Sequence, residues 1–205
     1  FKQKTAYEML RSLVGSEMCI RDRYCGGSQP ASQGEHLIAH YMELLAPPGS
    51  DEPLHGEQIG VCTLTMARLQ EALLRLERIE VRACEISERE LLGRYGQSLG
   101  QHCWKEFLPK RLDPQAASAL NRKLASEWQR IRAQLAAVSR PADRLLEVLR
   151  RAQAPVRPGQ LGWEWADYRQ AVLHAAELRN RYTFLDLARD CGLLQQLIDA
   201  SAGVQ

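Results

Sequence analysis

Three of the chain's five histidines fall within residues 26–61, which read GGSQPASQGEHLIAHYMELLAPPGSDEPLHGEQIGV. Imidazole is the side chain best suited both to bind a transition metal and to move a proton near neutral pH. His36 and His40 are four residues apart, which on a helix places them on one face, one turn from each other. His55 stands after a Pro/Gly-rich break, at the mouth of the next apolar run. Two metal arrangements follow. His36 and His40 can grip one ion as a helical i, i+4 pair. Alternatively, two antiparallel helices can bring His36 and His55 to one point, where Zn²⁺, Fe²⁺ or Ni²⁺ would accept their nitrogens. Two histidines make an incomplete site, because metal centres of this type want a third protein ligand and an open position. The bland reading is that helical histidines serve as surface or hydrogen-bonded groups.

The elements that must position these residues read as helices. Ser32 with Glu35 three places on forms an S-x-x-E capping box, which puts His36 at the end of the first helical turn. Leu37, Tyr41 and Leu44, with Ile38 and Leu45, cover the adjoining, inward face. Gly56 lets the backbone approach closely behind His55, and Gly60 allows tight helix contact. Glu57 reads as an acid favoured by the helix dipole. From about Gly56 to Arg82, the residues Ile59, Thr63, Met66, Leu69, Leu73, Leu76 and Ile79 recur at three- and four-residue steps, which predicts one long helix. SERELLGRYGQSL and HCWKEFL read as two shorter helices separated by glycine. Asp113-Pro114 predicts an N-cap and first helical position, opening a helix to about Ser139. PADRLLEVLRRAQ, EWADYRQAVLHAAELRNRY and TFLDLARDCGLLQQLI supply the remaining helices, with Thr183 capping the last and Gly192 interrupting it. Strand-like alternation never exceeds four residues, so the chain is expected to be all-α.

Composition narrows the class. The chain has 205 residues, 45% hydrophobic and 25% charged, with a net charge of only +2. That balance suits a globular domain and argues against a nucleic-acid partner. Arg150-Arg151 and Arg130 with Arg132 read as solvated helix faces. No apolar run approaches a membrane span. The six cysteines show no CxxC spacing and several sit in apolar helical patterns, so reduced core thiols in a cytoplasmic protein are expected. Residues 1–24 contain LRSLVGSEMCIRDR, which resembles translated adaptor DNA. They are expected to be foreign, leaving residues 25–205 as the helical domain.

The stretch GGSQPASQGEHLIAHYMELL…LHGEQIGV closely resembles the metal-binding segment of the sn-glycerol-1-phosphate dehydrogenases. These belong to the superfamily of iron-containing alcohol dehydrogenases, glycerol dehydrogenase and 3-dehydroquinate synthase. The likeness resumes in RNRYTFLDLARDCGLL, so it spans about residues 26–195. It implies that His36 and His55 are metal ligands and that His40 lies beside the reacting carbon as the catalytic proton relay. An Arg-Tyr-Thr element of that family matches Arg181-Tyr182-Thr183, so Arg181 and Tyr182 are expected to bind the substrate phosphate. It further implies reversible reduction of dihydroxyacetone phosphate to sn-glycerol 1-phosphate by a nicotinamide cofactor, NAD or NADP, in an enzyme that is a homo-oligomer when complete. The family's third ligand, an upstream aspartate, has no counterpart in residues 1–25, and the chain holds no GxGxxG motif. The resemblance therefore implies the helical C-terminal portion of a dehydroquinate-synthase-like enzyme, without its Rossmann-like domain. A 3-dehydroquinate synthase shares HGE but usually has a glycine where this chain has VCTLT. A polyol or alcohol dehydrogenase is a second rival reading, and a non-catalytic helical interaction module is a third.

Overall fold

A computed structural model describes residues 33–47 and 52–202. The expectations for Ser32 and for residues 1–24 lie outside them. Among the described residues there are eight α-helices and no strand. They are α1 (Gly34–Leu45), α2 (His55–Leu74), α3 (Glu88–Phe107), α4 (Pro114–Val138), α5 (Ala142–Arg151), α6 (Trp165–His174), α7 (Phe184–Asp190) and α8 (Leu194–Ala202). Short 3-10 turns occupy Leu108–Lys110, Pro158–Leu161 and Ala175–Leu178. The expected all-α architecture is what the described residues adopt.

α2 is the central element, packed against α1, α5 and α7, while α1 also rests on α6 and the Ala175–Leu178 turn. The inward stripe of α1 is Leu37, Ile38 and Tyr41, each buried as its spacing requires, with Met42 beside it; Leu45 instead faces outward. From α2, Val61, Met66, Leu69 and Leu73 meet that stripe in the main core. Removing a leucine or isoleucine side chain of this kind from water contributes about 2 kcal/mol. Gly60 is approached by Leu149 of α5, whereas the space around Gly56 is open. The close approach expected at Gly56 is not made.

Two helix boundaries differ from expectation. α2 stops at Leu74 rather than continuing to Arg82. Leu76 and Ile79 still pack inward, but from irregular backbone beyond the helix. What holds that segment is α4. Trp128 donates its indole N–H to the Leu76 carbonyl at 2.9 Å, Arg132 reaches the same carbonyl at 3.1 Å, and Asn121 pairs with both backbone groups of Val81 at 2.8 Å. Tertiary hydrogen bonds have replaced the helical ones. α3 does contain two helical halves, but the break is at Gly96, whose φ of 75° only glycine adopts readily. Gly100 then lets the halves touch, since a Cβ there would lie 2.8 Å from the Leu91 carbonyl oxygen. The Asp113 cap, by contrast, forms as expected, with Oδ1 accepting from Ala116 N at 2.7 Å.

The C-terminal helices are bound by buried charge. Lys110, with its side chain 4% exposed, meets Asp186 of α7 at 2.8 Å. The same ammonium donates to the carbonyls of Ala176 and of Arg181, the latter at 2.8 Å. Burial pulls the Lys110 amine below its ordinary pKa, and the Asp186 carboxylate opposes that pull. Replacing Lys110 with methionine leaves Asp186 and two carbonyls short of a donor. The expected cost is about 3 kcal/mol or more, read as a lowered urea midpoint at unchanged slope. A midpoint indistinguishable from wild type would mean the pair does not hold these elements together.

Candidate metal centre

His36 and His40 lie on the same face of α1, and His55 is the first residue of α2. The apposition of these helices gathers all three rings. Their centroids are 5.5 Å apart for His36–His55, 5.8 Å for His40–His55 and 6.2 Å for His36–His40. His40 and His55 are stacked at an interplanar angle of 24°. The cluster lies under the surface, with side-chain exposures of 8%, 13% and 27% for His36, His40 and His55.

Two imidazoles bound tetrahedrally to one ion at the usual Zn–N length would have centroids about 5 Å apart. The His36–His55 spacing is compatible with that, and the other two pairs are somewhat wider. Among the described residues, however, no group of three or more His, Cys, Asp or Glu side chains could hold a metal ion. The donor set is thus a histidine pair with a third imidazole beside it, suited to a borderline divalent cation but in need of another ligand.

Acidic residues on α1 complete the picture. Glu43 places Oε2 2.8 Å from His40 Nδ1 and Oε1 3.5 Å from His55 Nδ1, and its side chain is only 10% exposed. Burial would raise its carboxyl pKa, but the contacts with His40 and His55 overcome that and hold it down at about 2. Glu43 is the residue that reasoning from sequence missed. Its signal was there, since His36, His40 and Glu43 stand at i, i+4 and i+7 on one helix. Glu35 also differs from expectation. Gln33 occupies the cap position of α1 without a capping bond from its side chain, and Glu35 Oε1 faces His36 Nδ1 at 3.3 Å. Glu57 accepts from Leu54 N at 3.3 Å, a helix-start contact in keeping with its expected role.

Arg181 and Tyr182 lie on the loop that enters α7. The Tyr182 hydroxyl donates to Asp190 Oδ2 at 2.9 Å. Arg181 has its carbonyl on Lys110, and its guanidinium has a lowered pKa because it is partly buried and lies near the Arg179 cation. The N-terminus of α7 is filled from within. Thr183 caps it by accepting from Leu185 N, and Asp186 Oδ2 accepts from Thr183 N at 2.8 Å. His174 is bound to the buried Glu177, which also accepts from Arg94 and from Tyr95 at 2.6 Å. Cys62, Cys84, Cys103 and Cys191 are free thiols, the first three buried; Cys19 and Cys25 lie outside the described residues.

No protein-family model matches the chain, and no solved structure gives a match. Among curated proteins, it is similar to the glycerol-1-phosphate dehydrogenase (NAD(P)+) of Bacillus licheniformis, 26% identical over 202 residues. That alignment takes in 97% of this chain but 38% of the relative, so the chain spans well under half the length of the protein it matches. The glycerol-1-phosphate dehydrogenase of Aeropyrum pernix is 44% identical over 63 residues, 30% of this chain and 16% of that protein. That of Haloquadratum walsbyi is 37% identical over 67 residues, 33% of this chain and 18% of its own length.

The Glu43 carboxyl gives a pH signature. Its folded-state pKa of about 2 lies below the ordinary carboxyl value of 4.5, so its contribution to stability is complete above about pH 4.5 and is lost as pH falls toward 2. Wild type should therefore exceed Glu43→Gln in stability at neutral pH, with the gap closing across that acid window. Urea midpoints measured from pH 6 down to about 2 test this, and a gap independent of pH would refute it.

Proposed function

This chain is a relative of the glycerol-1-phosphate dehydrogenases, and from that premise we propose that it forms the metal-binding helical part of an NAD(P)-linked oxidoreductase. The reaction is the interconversion of dihydroxyacetone phosphate and sn-glycerol 1-phosphate. The observation that carries this reading is the meeting of His36 and His55, from two helices, at 5.5 Å with His40 beside them. A non-catalytic helical module has no need to gather three imidazoles beneath its surface.

In this reading His36 and His55 hold a divalent cation, with Zn²⁺, Fe²⁺ and Ni²⁺ all suited to imidazole. Such an ion, when bound, supplies Lewis-acid polarisation of a carbonyl oxygen. A third ligand comes from outside the described residues. His40 donates the proton that the substrate oxygen takes up on reduction, and accepts it back on oxidation, a general acid–base task that imidazole commonly performs. Arg181 supplies positive charge to the substrate phosphate, supported by its position near the Arg179 cation. Tyr182 steadies that loop through Asp190. Nicotinamide binding falls to a separate region of the whole protein. The free buried thiols favour a reducing compartment, which agrees with a cytoplasmic enzyme.

By itself the chain should bind Zn²⁺ or Ni²⁺ weakly and turn nothing over, because its described residues offer two ligands and its sequence carries no Gly-rich dinucleotide motif to hold nicotinamide. The functional test uses a protein that carries this chain together with a nicotinamide-binding region. NAD(P)H oxidation there should require dihydroxyacetone phosphate. His55→Ala should remove both metal and activity, whereas His40→Ala should keep the metal and lower kcat by roughly 10²- to 10⁴-fold. Full activity with His55→Ala would rule the mechanism out.

A further inference from the structure

The side chain that touches two of the three imidazoles is Glu43. Its oxygens divide between the rings, Oε2 at 2.8 Å from Nδ1 of His40 on its own helix and Oε1 at 3.5 Å from Nδ1 of His55 on α2. An ionised carboxylate only accepts, so a neutral imidazole facing it through Nδ1 must carry its proton on that nitrogen. We propose that Glu43 is the positioning residue of the cluster: its hydrogen bond fixes His40 in the Nδ1–H tautomer, and its charge, 3.5 Å from the buried Nδ1 of His55, favours the same tautomer there, so that each keeps an Nε2 lone pair for a cation or a proton.

The consequence is chemical as well as geometric. A free histidine side chain favours the opposite tautomer, with the proton on Nε2, where no lone pair is left to ligate or to accept. Ligating histidines generally have their other nitrogen bound by a carboxylate or carbonyl for this reason, and the ring's orientation is fixed with it. Here one carboxylate serves two rings from two helices, which also ties the start of α2 to the end of α1. That His55 is a metal ligand rests on the function proposed above; the tautomer assignment does not.

Long-range ¹H–¹⁵N spectra of the imidazole rings in the metal-free 205-residue chain, at a pH where the rings are neutral, read the tautomers directly. Single His→Gln variants assign the signals. Wild type should show Nδ1–H rings at His40 and His55. In Glu43→Gln at least one of the two should revert to Nε2–H, because an amide has one accepting oxygen in place of two; in Glu43→Ala both should revert. Wild-type rings of the Nε2–H form would overturn the proposal without recourse to any variant, as would unchanged tautomers in Glu43→Ala. A parallel Zn²⁺ titration separates the two readings. If Glu43 positions a ligand, Glu43→Gln should bind Zn²⁺ about 10- to 100-fold more weakly than wild type. Nδ1–H rings in wild type together with a Zn²⁺ affinity unchanged in Glu43→Gln would sustain the tautomer assignment and overturn the reading of His55 as the ligand that Glu43 positions.

Discussion

A charge taken out of water must find a partner, and the C-terminal half of this fold is organised around one such demand. Asp186 is fully buried and Lys110 nearly so. Their contact joins the turn after α3 to α7, and the same ammonium gathers the carbonyls of Ala176 and Arg181. Arg189 comes to Asp186 from the next turn of α7, at 3.2 Å, and lies over the Phe107 ring at 5.0 Å. A buried pair of this kind adds little compared with an apolar replacement, but loss of either member is costly because the survivor is stranded. Its effect is specificity of position, and the segment it positions is the loop bearing Arg181 and Tyr182.

Glu177 applies the same rule a few residues earlier. Its carboxylate, 1% exposed, is met by Arg94, Tyr95 and His174, while the Tyr41 ring of α1 lies 6.1 Å from that of Tyr95 and 6.4 Å from that of His174. The Ala175–Leu178 turn thereby becomes a floor on which α1 is seated. α1 carries His36, His40 and Glu43, so the burial of Glu177 reaches the histidine cluster through packing. At the cluster itself, Glu43 is another carboxylate largely withdrawn from water, this one satisfied by imidazoles.

Local patterns were legible where a residue acts on its own helix. Asp113 followed by Pro114, and Thr183 before Asp186, are caps whose partners lie within three residues, and both form as their sequence implies. The inward stripe of α1 obeys the same logic, since Leu37, Ile38 and Tyr41 share a face whatever they pack against. The end of α2 was not legible. Leu76 and Ile79 continue the apolar period of α2, but the groups that hold this stretch outside the helix are Trp128, Arg132 and Asn121, forty or more positions away. Gly96 and Gly100 raise a similar difficulty. Either could break a helix, and the close approach that Gly100 permits to Leu91 is visible only once the helix has folded back.

The sequence by itself determined that the chain is helical, that His36 and His40 share a face, and that His55 opens the following helix, because each depends on spacing along one stretch of backbone. It also carried the likeness to the glycerol-1-phosphate dehydrogenases, which reaches 44% identity over a stretch of 63 residues. Tertiary structure decided which histidines meet and at what distance, since that follows from how α1 and α2 cross. It assigned Glu43 to two imidazoles, and it turned Tyr182 toward Asp190. The physical reason is that hydrogen bonds and buried charges are short-ranged in space but indifferent to separation along the chain. A pattern of spacings can name the groups available to pair, and only the folded packing selects the pairs.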